Sequence, residues 1–289
     1  MNVELISTTA EDGLRLDGAL HAPRADSASG LPADAFIFLH GVGSNFYGSS
    51  LFASLTEPLV ERGAAVLWAN TRGHDGLYTA WIRGRARRLG AAYEIVDQCQ
   101  FDLTAWIAAL RERGHRRIGL VGHSLGAIKS VYFQAHAADD AVACVVAASP
   151  PRLSYAVFKQ GRNQETFLEA MTAAERHVEQ GAGESLLEVR FPFPLVISAA
   201  TFVDKYGPQE HYNIVKFVSR VNCPLLFTYG GVELAQGGEA FAEAPAALMA
   251  AARGDQRLEV ATIAGANHIY TDRHGELADV VVNWLEANA

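Results

Sequence analysis

Residues 118–126 read Ile-Gly-Leu-Val-Gly-His-Ser-Leu-Gly, and the fold turns on them. Ile118 to Val121 is a short apolar run of strand type, and the segment from Leu125 to about His136 has helical character. Between them stands Gly122-His123-Ser124-Leu125-Gly126, a G-x-S-x-G pattern in a strand–turn–helix setting. Side chains at the two glycine positions would collide with neighbouring backbone, so the turn can be sharp enough to push the serine hydroxyl out at the start of a helix. There the helix dipole favours developing negative charge. The plainer reading is a glycine-rich turn with an incidental serine, and the flanking pattern argues against it.

Outward from this turn, apolar runs alternate with amphipathic segments. On the N-terminal side come Ala35 to Leu39, a helix near Leu51 to Arg62, Ala65 to Ala69, and a long helix from about Ala92 to Arg113. On the C-terminal side Val142 to Ala147 follows, and the alternation resumes with Leu225 to Tyr229, a helix from about Glu239 to Arg253, Leu258 to Ile263, and a last helix from Glu276 to Glu286. Continuous apolar strands separated by helices predict an α/β fold, a mostly parallel sheet covered on both faces. Val3 to Ser7 and Leu14 to Ala22, around Glu11-Asp12-Gly13, predict an N-terminal antiparallel hairpin. Between Pro150-Pro151 and Cys223-Pro224 the alternation fails. This stretch reads as helices with Pro-containing joints around Phe191-Pro192-Phe193-Pro194, and it is far longer than the roughly 12–15 residues of an ordinary unstructured loop. A helical cap over the sheet fits it better than a linker.

Two further motifs carry chemistry. His40-Gly41-Val42-Gly43-Ser44-Asn45 follows the run ending at Leu39, and such a glycine-rich turn can aim a backbone N–H at an oxyanion. As a dinucleotide fingerprint it fails, because Phe46 stands where the third glycine belongs; Ala127 after Gly126 likewise rules out a P-loop. Gly265-Ala266-Asn267-His268 lies between the last apolar run and the last helix. A serine hydroxyl needs a base with a pKa near neutrality to become a nucleophile, and His268 stands in the chain order expected for one. His40, His123 and His274 are its rivals.

These three motifs, in this order, resemble the α/β-hydrolase family over nearly the whole chain. The resemblance implies an α/β-hydrolase core of residues 1–149 and 222–289 with a cap or lid insertion at 150–221. It implies Ser124 as nucleophile, His268 as general base, and an oxyanion hole from the amides of Val42 and Leu125. The family places a carboxylate after the strand preceding the last helix–strand unit, where the chain reads Thr228-Tyr229-Gly230-Gly231-Val232-Glu233. Glu233 matches, although the family usually has Asp; Asp272 and Asp75 are the alternatives. Asn70-Thr71-Arg72-Gly73-His74-Asp75 matches a turn whose work in the family is mainly structural. The implied reaction is hydrolysis of a carboxylic ester, lactone or thioester through an acyl-enzyme, with no metal or organic cofactor. Dehalogenase and epoxide hydrolase chemistry are disfavoured, because those relatives use Asp where this chain has Ser124. Acyl transfer and carbon–carbon bond hydrolysis share the same machinery, and a ligand-binding receptor on the hydrolase scaffold is a different class of outcome.

Composition sets the remaining bounds. A net charge of -8 and 49% hydrophobic residues suit a packed acidic enzyme and give no field for gathering phosphates, so no nucleic-acid partner is expected. Arg83, Arg85, Arg87 and Arg88 form a local exception, read as a solvated loop or helix face that can also greet an anionic substrate. Cys99, Cys144 and Cys223 lack CxxC spacing and read as buried free thiols in a reducing compartment. With neither a signal-peptide pattern nor an apolar span of membrane length, the expectation is a cytoplasmic protein with a small-molecule substrate and no membrane partner; homo-oligomer formation is left open. In the cap, Asp204-Lys205-Tyr206-Gly207-Pro208 could supply polar substrate contacts, although solvated surface is the preferred reading. Phe191, Phe193, Phe202 and Tyr206 are aromatic enough to line an apolar pocket, or else pack onto the core.

Overall fold

The computed structural model describes residues 3–24 and 29–289. In chain order the strands are β1 (Val3–Thr9), β2 (Arg15–His21), β3 (Ala35–Leu39), β4 (Ala65–Ala69), β5 (Tyr78–Ile82), β6 (Arg85–Leu89), β7 (Ile118–His123), β8 (Val142–Ala148), β9 (Leu186–Val189), β10 (Leu195–Ser198), β11 (Leu225–Gly230) and β12 (Leu258–Ile263). Eight of them form one sheet in the order β1-β2-β4-β3-β7-β8-β11-β12. β1 and β2 make the expected antiparallel hairpin, β2 pairs antiparallel with β4, and every later pairing in this sheet is parallel.

The helices are α1 (Ser50–Glu61), α2 (Cys99–Glu112), α3 (Leu125–Ala137), α4 (Tyr155–Phe158), α5 (Gln164–Glu179), α6 (Ala199–Tyr206), α7 (Gly231–Gln236), α8 (Ala244–Ala251) and α9 (His274–Ala287). Side chains alternate across β3, so Phe36 and Phe38 enter one core with α1 and α9, while Ile37 and Leu39 enter the other with α2 and α3. All five residues of β3 are buried, as a central strand covered on both faces requires. The strand order turns at β3, whose parallel neighbours β4 and β7 lie on opposite sides. The chains leaving β3 and β7 therefore part at the C-terminal edge of the sheet, and ligand crevices form at such a point.

Four elements differ from the sequence reading. The helix expected from Ala92 begins only at Cys99, after a short 3-10 turn at Val96–Gln98. The amides of Ala91 and Ala92 are instead held by the carbonyls of Asp75 and Gly76, at 2.9 and 3.0 Å. The helix expected from Glu239 to Arg253 shrinks to α8, which opens with Pro245 in its first turn, where a proline costs no hydrogen bond. The helix α7 comes before it and carries Glu233. The arginine-rich run is solvated, as expected, but as the hairpin β5–β6 rather than a loop or helix face. Arg83 and Gly84, at φ 48° and 76°, form the two-residue turn, a conformation that an arginine rarely takes.

The 150–221 segment holds α4, α5, α6, two 3-10 turns and the strands β9 and β10, which pair only with each other and leave the central sheet unextended. Cys99 and Cys144 are buried, whereas Cys223 is only half-buried. Among the described residues, no helix is long and apolar enough to cross a membrane.

Candidate active site

Ser124 sits between β7 and α3 at φ 56° and ψ -120°. A non-glycine residue there carries about 1–3 kcal/mol of strain and persists only where its surroundings dictate it. Those surroundings are visible: a Cβ on Gly122 would strike the Gly126 carbonyl, and one on Gly126 would strike the Leu39 carbonyl. The Ser124 amide is tied to the Ala148 carbonyl at the end of β8, at 2.9 Å. Gly41 passes close on the other side, where an added Cβ would lie 3.1 Å from that of Ser124. This brings the turn after β3, with Val42, against the turn after β7, with Ser124 and Leu125. All three line one cavity of about 190 Å³. Among the described residues, the amides of Val42 and Leu125 donate to no protein acceptor.

His268 lines the same cavity from the loop after β12. Asn267 shapes that loop, its Oδ1 accepting from the amides of Ile269 and Thr271 at 3.2 and 3.0 Å. The loop is also bonded to α7, the Val232 amide donating to the Ala266 carbonyl at 2.9 Å. That bond sets Glu233 opposite the imidazole: His268 Nδ1 lies 2.5 Å from Glu233 Oε1. Glu233 is buried, and its second oxygen accepts from Ser149 Oγ at 2.7 Å and from the Gly230 amide at 3.1 Å. The Ser149 hydroxyl lies 2.9 Å from Tyr270 Oη, which lies 2.9 Å from Thr228 Oγ1. The Glu233 carboxylate is thus fixed by donors from three directions. Neither Ser149 nor Tyr270 carried a signal in the sequence beyond adjacency to motifs already noted.

The rival histidines are engaged elsewhere. Burial pushes the His40 imidazole down to about 3. Its Nδ1 lies 2.8 Å from the Gly41 carbonyl and its Nε2 accepts from the Thr71 amide at 3.2 Å. Burial, aided by the nearby His268, pushes His123 down to about 4, so it is neutral and its Nε2–H donates to the His268 carbonyl at 2.7 Å. His123 therefore braces the loop that presents His268. His274, at the start of α9, has Nε2 3.0 Å from the Ile269 carbonyl. The rival carboxylates fare similarly. Asp75 accepts from Asn45 Nδ2 at 2.8 Å and lies 2.8 Å from His74 Nδ1, while Asp272 is exposed on the loop.

The Arg72 turn is structural in character. Arg72 Nη2 lies 2.7 Å from Asp102 Oδ1 and its backbone amide donates to Asp102 Oδ2 at 2.8 Å, both side chains being buried. The 150–221 segment supplies most of the remaining cavity wall. Phe191, Phe193 and Tyr206 line it, whereas Phe202 is buried in packing and does not. Phe241, from the loop before α8, packs edge-on against His268, with ring centroids 5.3 Å apart. The expectation of solvated surface at 204–208 is overturned at Lys205 and Tyr206, which are 1% and 5% exposed and line the cavity. Among the described residues no cluster of three or more His, Cys, Asp or Glu could hold a metal ion.

Solved structures share this architecture at low identity. The alpha/beta hydrolase GrgF from Penicillium sp. sh18 superposes with a TM-score of 0.70 at 15% identity, covering 100% of this chain and 98% of that one. Est1E from Butyrivibrio proteoclasticus gives 0.64 at 17% identity, covering 98% of each chain. A monoacylglycerol lipase from Paleococcus ferrophilus gives 0.60 at 17% identity, covering 96% of this chain and 100% of that one. At such identities the likeness speaks for the fold. Comparison with functionally curated proteins gives no significant match. A family model matches residues 36–280, from β3 into α9, and the chain therefore belongs to the alpha/beta hydrolase family.

Proposed function

We propose that the protein is a serine hydrolase that cleaves a carboxylic ester or a related acyl compound through an acyl-enzyme. The observation that carries this reading is the pairing of His268 Nδ1 with the buried Glu233 carboxylate at 2.5 Å, in the wall of the cavity that Ser124 also lines. Nδ1–H donating to Glu233 leaves Nε2 unprotonated and able to accept the Ser124 proton. Ser124 Oγ attacks the acyl carbonyl, and His268 takes the proton and returns it to the leaving group. Water, activated by the same imidazole, then releases the acid. Charge on the tetrahedral oxygen is held by the Val42 and Leu125 amides, which have no competing protein acceptor, and by the positive end of α3.

Est1E has been crystallised with ferulic acid bound, and other neighbours are named as esterases or a lipase. That company supports acyl chemistry without choosing the acid. Labelling with a fluorophosphonate probe is the direct test. We expect one labelled residue, Ser124, and loss of both labelling and turnover by several orders of magnitude in Ser124→Ala, with the fold retained. Label on another serine, or full activity in the variant, would overturn the reading.

A further inference from the structure

Two residues behind Glu233 hold backbone that their side chains disfavour. Ser149, just past β8, and Tyr270, two positions after His268, stand at φ 50° and 55°, the left-handed region that a bulky residue rarely takes. Strain of this kind persists only where the surroundings dictate it, and it collects where a side chain has to be aimed. Both residues are fully buried, as is Thr228 of β11. Their hydroxyls form a series that ends on the Glu233 carboxylate. Thr228 Oγ1 lies 2.9 Å from Tyr270 Oη, Tyr270 Oη 2.9 Å from Ser149 Oγ, and Ser149 Oγ 2.7 Å from Glu233 Oε2.

Each hydroxyl has one proton, so the direction of the series is decided at its carboxylate end. A carboxylate only accepts: Oε1 faces His268 Nδ1, and Oε2 takes the Ser149 hydroxyl and the Gly230 amide. Ser149, having given its proton to Glu233, must accept from Tyr270. Burial pushes the Tyr270 phenol above its ordinary range, so it keeps the proton that it donates. Tyr270 in turn accepts from Thr228. Every donor therefore points toward Glu233, and hydrogen bonds aligned head to tail polarise one another. The same series ties β11 and the connection after β8 to the loop that carries His268.

We propose that Tyr270 and Ser149 are positioning residues for the proton transfer: they hold Glu233 Oε2, so that Oε1 stays on His268 Nδ1 while the imidazole takes and returns the Ser124 proton. A glutamate has one more torsion to immobilise than the aspartate usual at this place, which gives the partners of its second oxygen more to do. The proposal rests on the serine-hydrolase reading, and it concerns groups set back from the substrate, since neither residue lines the cavity. Hydroxyls that merely joined the three segments would contribute to stability and leave kcat of the folded protein untouched.

The test measures turnover of a chromogenic ester, well below each melting temperature, in Ser149→Ala, in Tyr270→Phe, in the two combined, and in Tyr270→Phe made on a Glu233→Gln background. The rate of fluorophosphonate labelling at Ser124 is the second readout. Ser149→Ala removes a hydrogen bond to a charged group and should lower kcat about ten- to a hundredfold; Tyr270→Phe removes a neutral one and should lower it about three- to tenfold. KM should stay within about twofold in both, and labelling should slow in parallel. Because Tyr270 acts through Ser149 and Glu233, Tyr270→Phe should cost less than about twofold once either is replaced. Native kcat in Ser149→Ala or in Tyr270→Phe overturns the proposal, and so does an undiminished loss from Tyr270→Phe on the Glu233→Gln background. Either single variant decides if the other fails to fold. If the native protein turns over no ester and Ser124 takes no label, the hydrolase reading falls and the proposal with it; native turnover with unchanged variants sinks the proposal alone.

Discussion

Glu233→Gln is the sharpest probe of the candidate site, because the surroundings of Glu233 leave an amide no comfortable orientation. Both carboxylate oxygens accept: Oε1 faces His268 Nδ1 at 2.5 Å, and Oε2 faces Ser149 Oγ at 2.7 Å and the Gly230 amide at 3.1 Å. A glutamine has one acceptor and one donor. If its oxygen turns to His268, its NH2 opposes the Gly230 N–H, which cannot accept. If its NH2 turns to His268, the imidazole must move its proton to Nε2, where it blocks the abstraction from Ser124. Either way a charge-assisted hydrogen bond worth about 1.5–3 kcal/mol is lost, and the negative charge that stabilises the imidazolium goes with it. We expect kcat to fall about a hundred- to ten-thousand-fold, which is roughly 2.7–5.5 kcal/mol at about 1.36 kcal/mol per decade. KM should change little, since the carboxylate acts on the transition state. The assay is turnover of a chromogenic ester at saturating substrate, with Asp272→Asn and Asp75→Asn run in parallel. A Glu233→Gln protein within tenfold of native activity would refute the reasoning, and collapse of the Asp272 variant alone would move the acid to that residue.

Two other expectations concern stability and the cavity rim. His40 and His123 have folded-state values pushed by burial from 6.5 to about 3 and about 4, so between those values and 6.5 the unfolded chain binds more protons than the native one. Their contribution is complete above pH 6.5 and is lost progressively from there down to about pH 4 for His123 and about pH 3 for His40, at up to about 1.4 kcal/mol per pH unit for each imidazole. Denaturant midpoints that stay level from pH 7 to about 4.5 would contradict it. Phe193 lines the cavity yet is 47% exposed, so Phe193→Ala should shift acyl-length preference while changing stability by no more than about 0.5 kcal/mol. A melting temperature that drops without a change in preference would mark the ring as packing alone.

What could be read in the sequence was local. Gly122 and Gly126 announce the turn because the collisions they avoid involve backbone a few residues away or in the adjoining strand. The all-buried run of β3 announces itself by composition alone. Helix ends differ from the sequence expectation where a distant partner decides them: Ala92 looks helical, but its amide goes to the Gly76 carbonyl. The arginine hairpin was hidden for a related reason, since Arg83 occupies a positive-φ turn position that propensity assigns to Gly, Asn or Asp.

The Asp204–Pro208 stretch shows where such reading ends. A lysine beside an aspartate and a proline is solvated in most proteins, and that prior is sound for an isolated segment. It fails because Glu94, standing before α2 and ion-paired to Lys129 of α3, meets α6 and gives Lys205 a counter-charge. Gly73, from a third segment, leaves the room that the Glu94 carboxylate occupies, since a Cβ there would strike it. Burial pushes the Lys205 ammonium down and the Glu94 carboxylate acts against that shift, a balance that no local pattern can register. The place of Lys205 is therefore decided by Glu94 and Lys129, which come from two other segments, and the composition of residues 204–208 alone could not announce it.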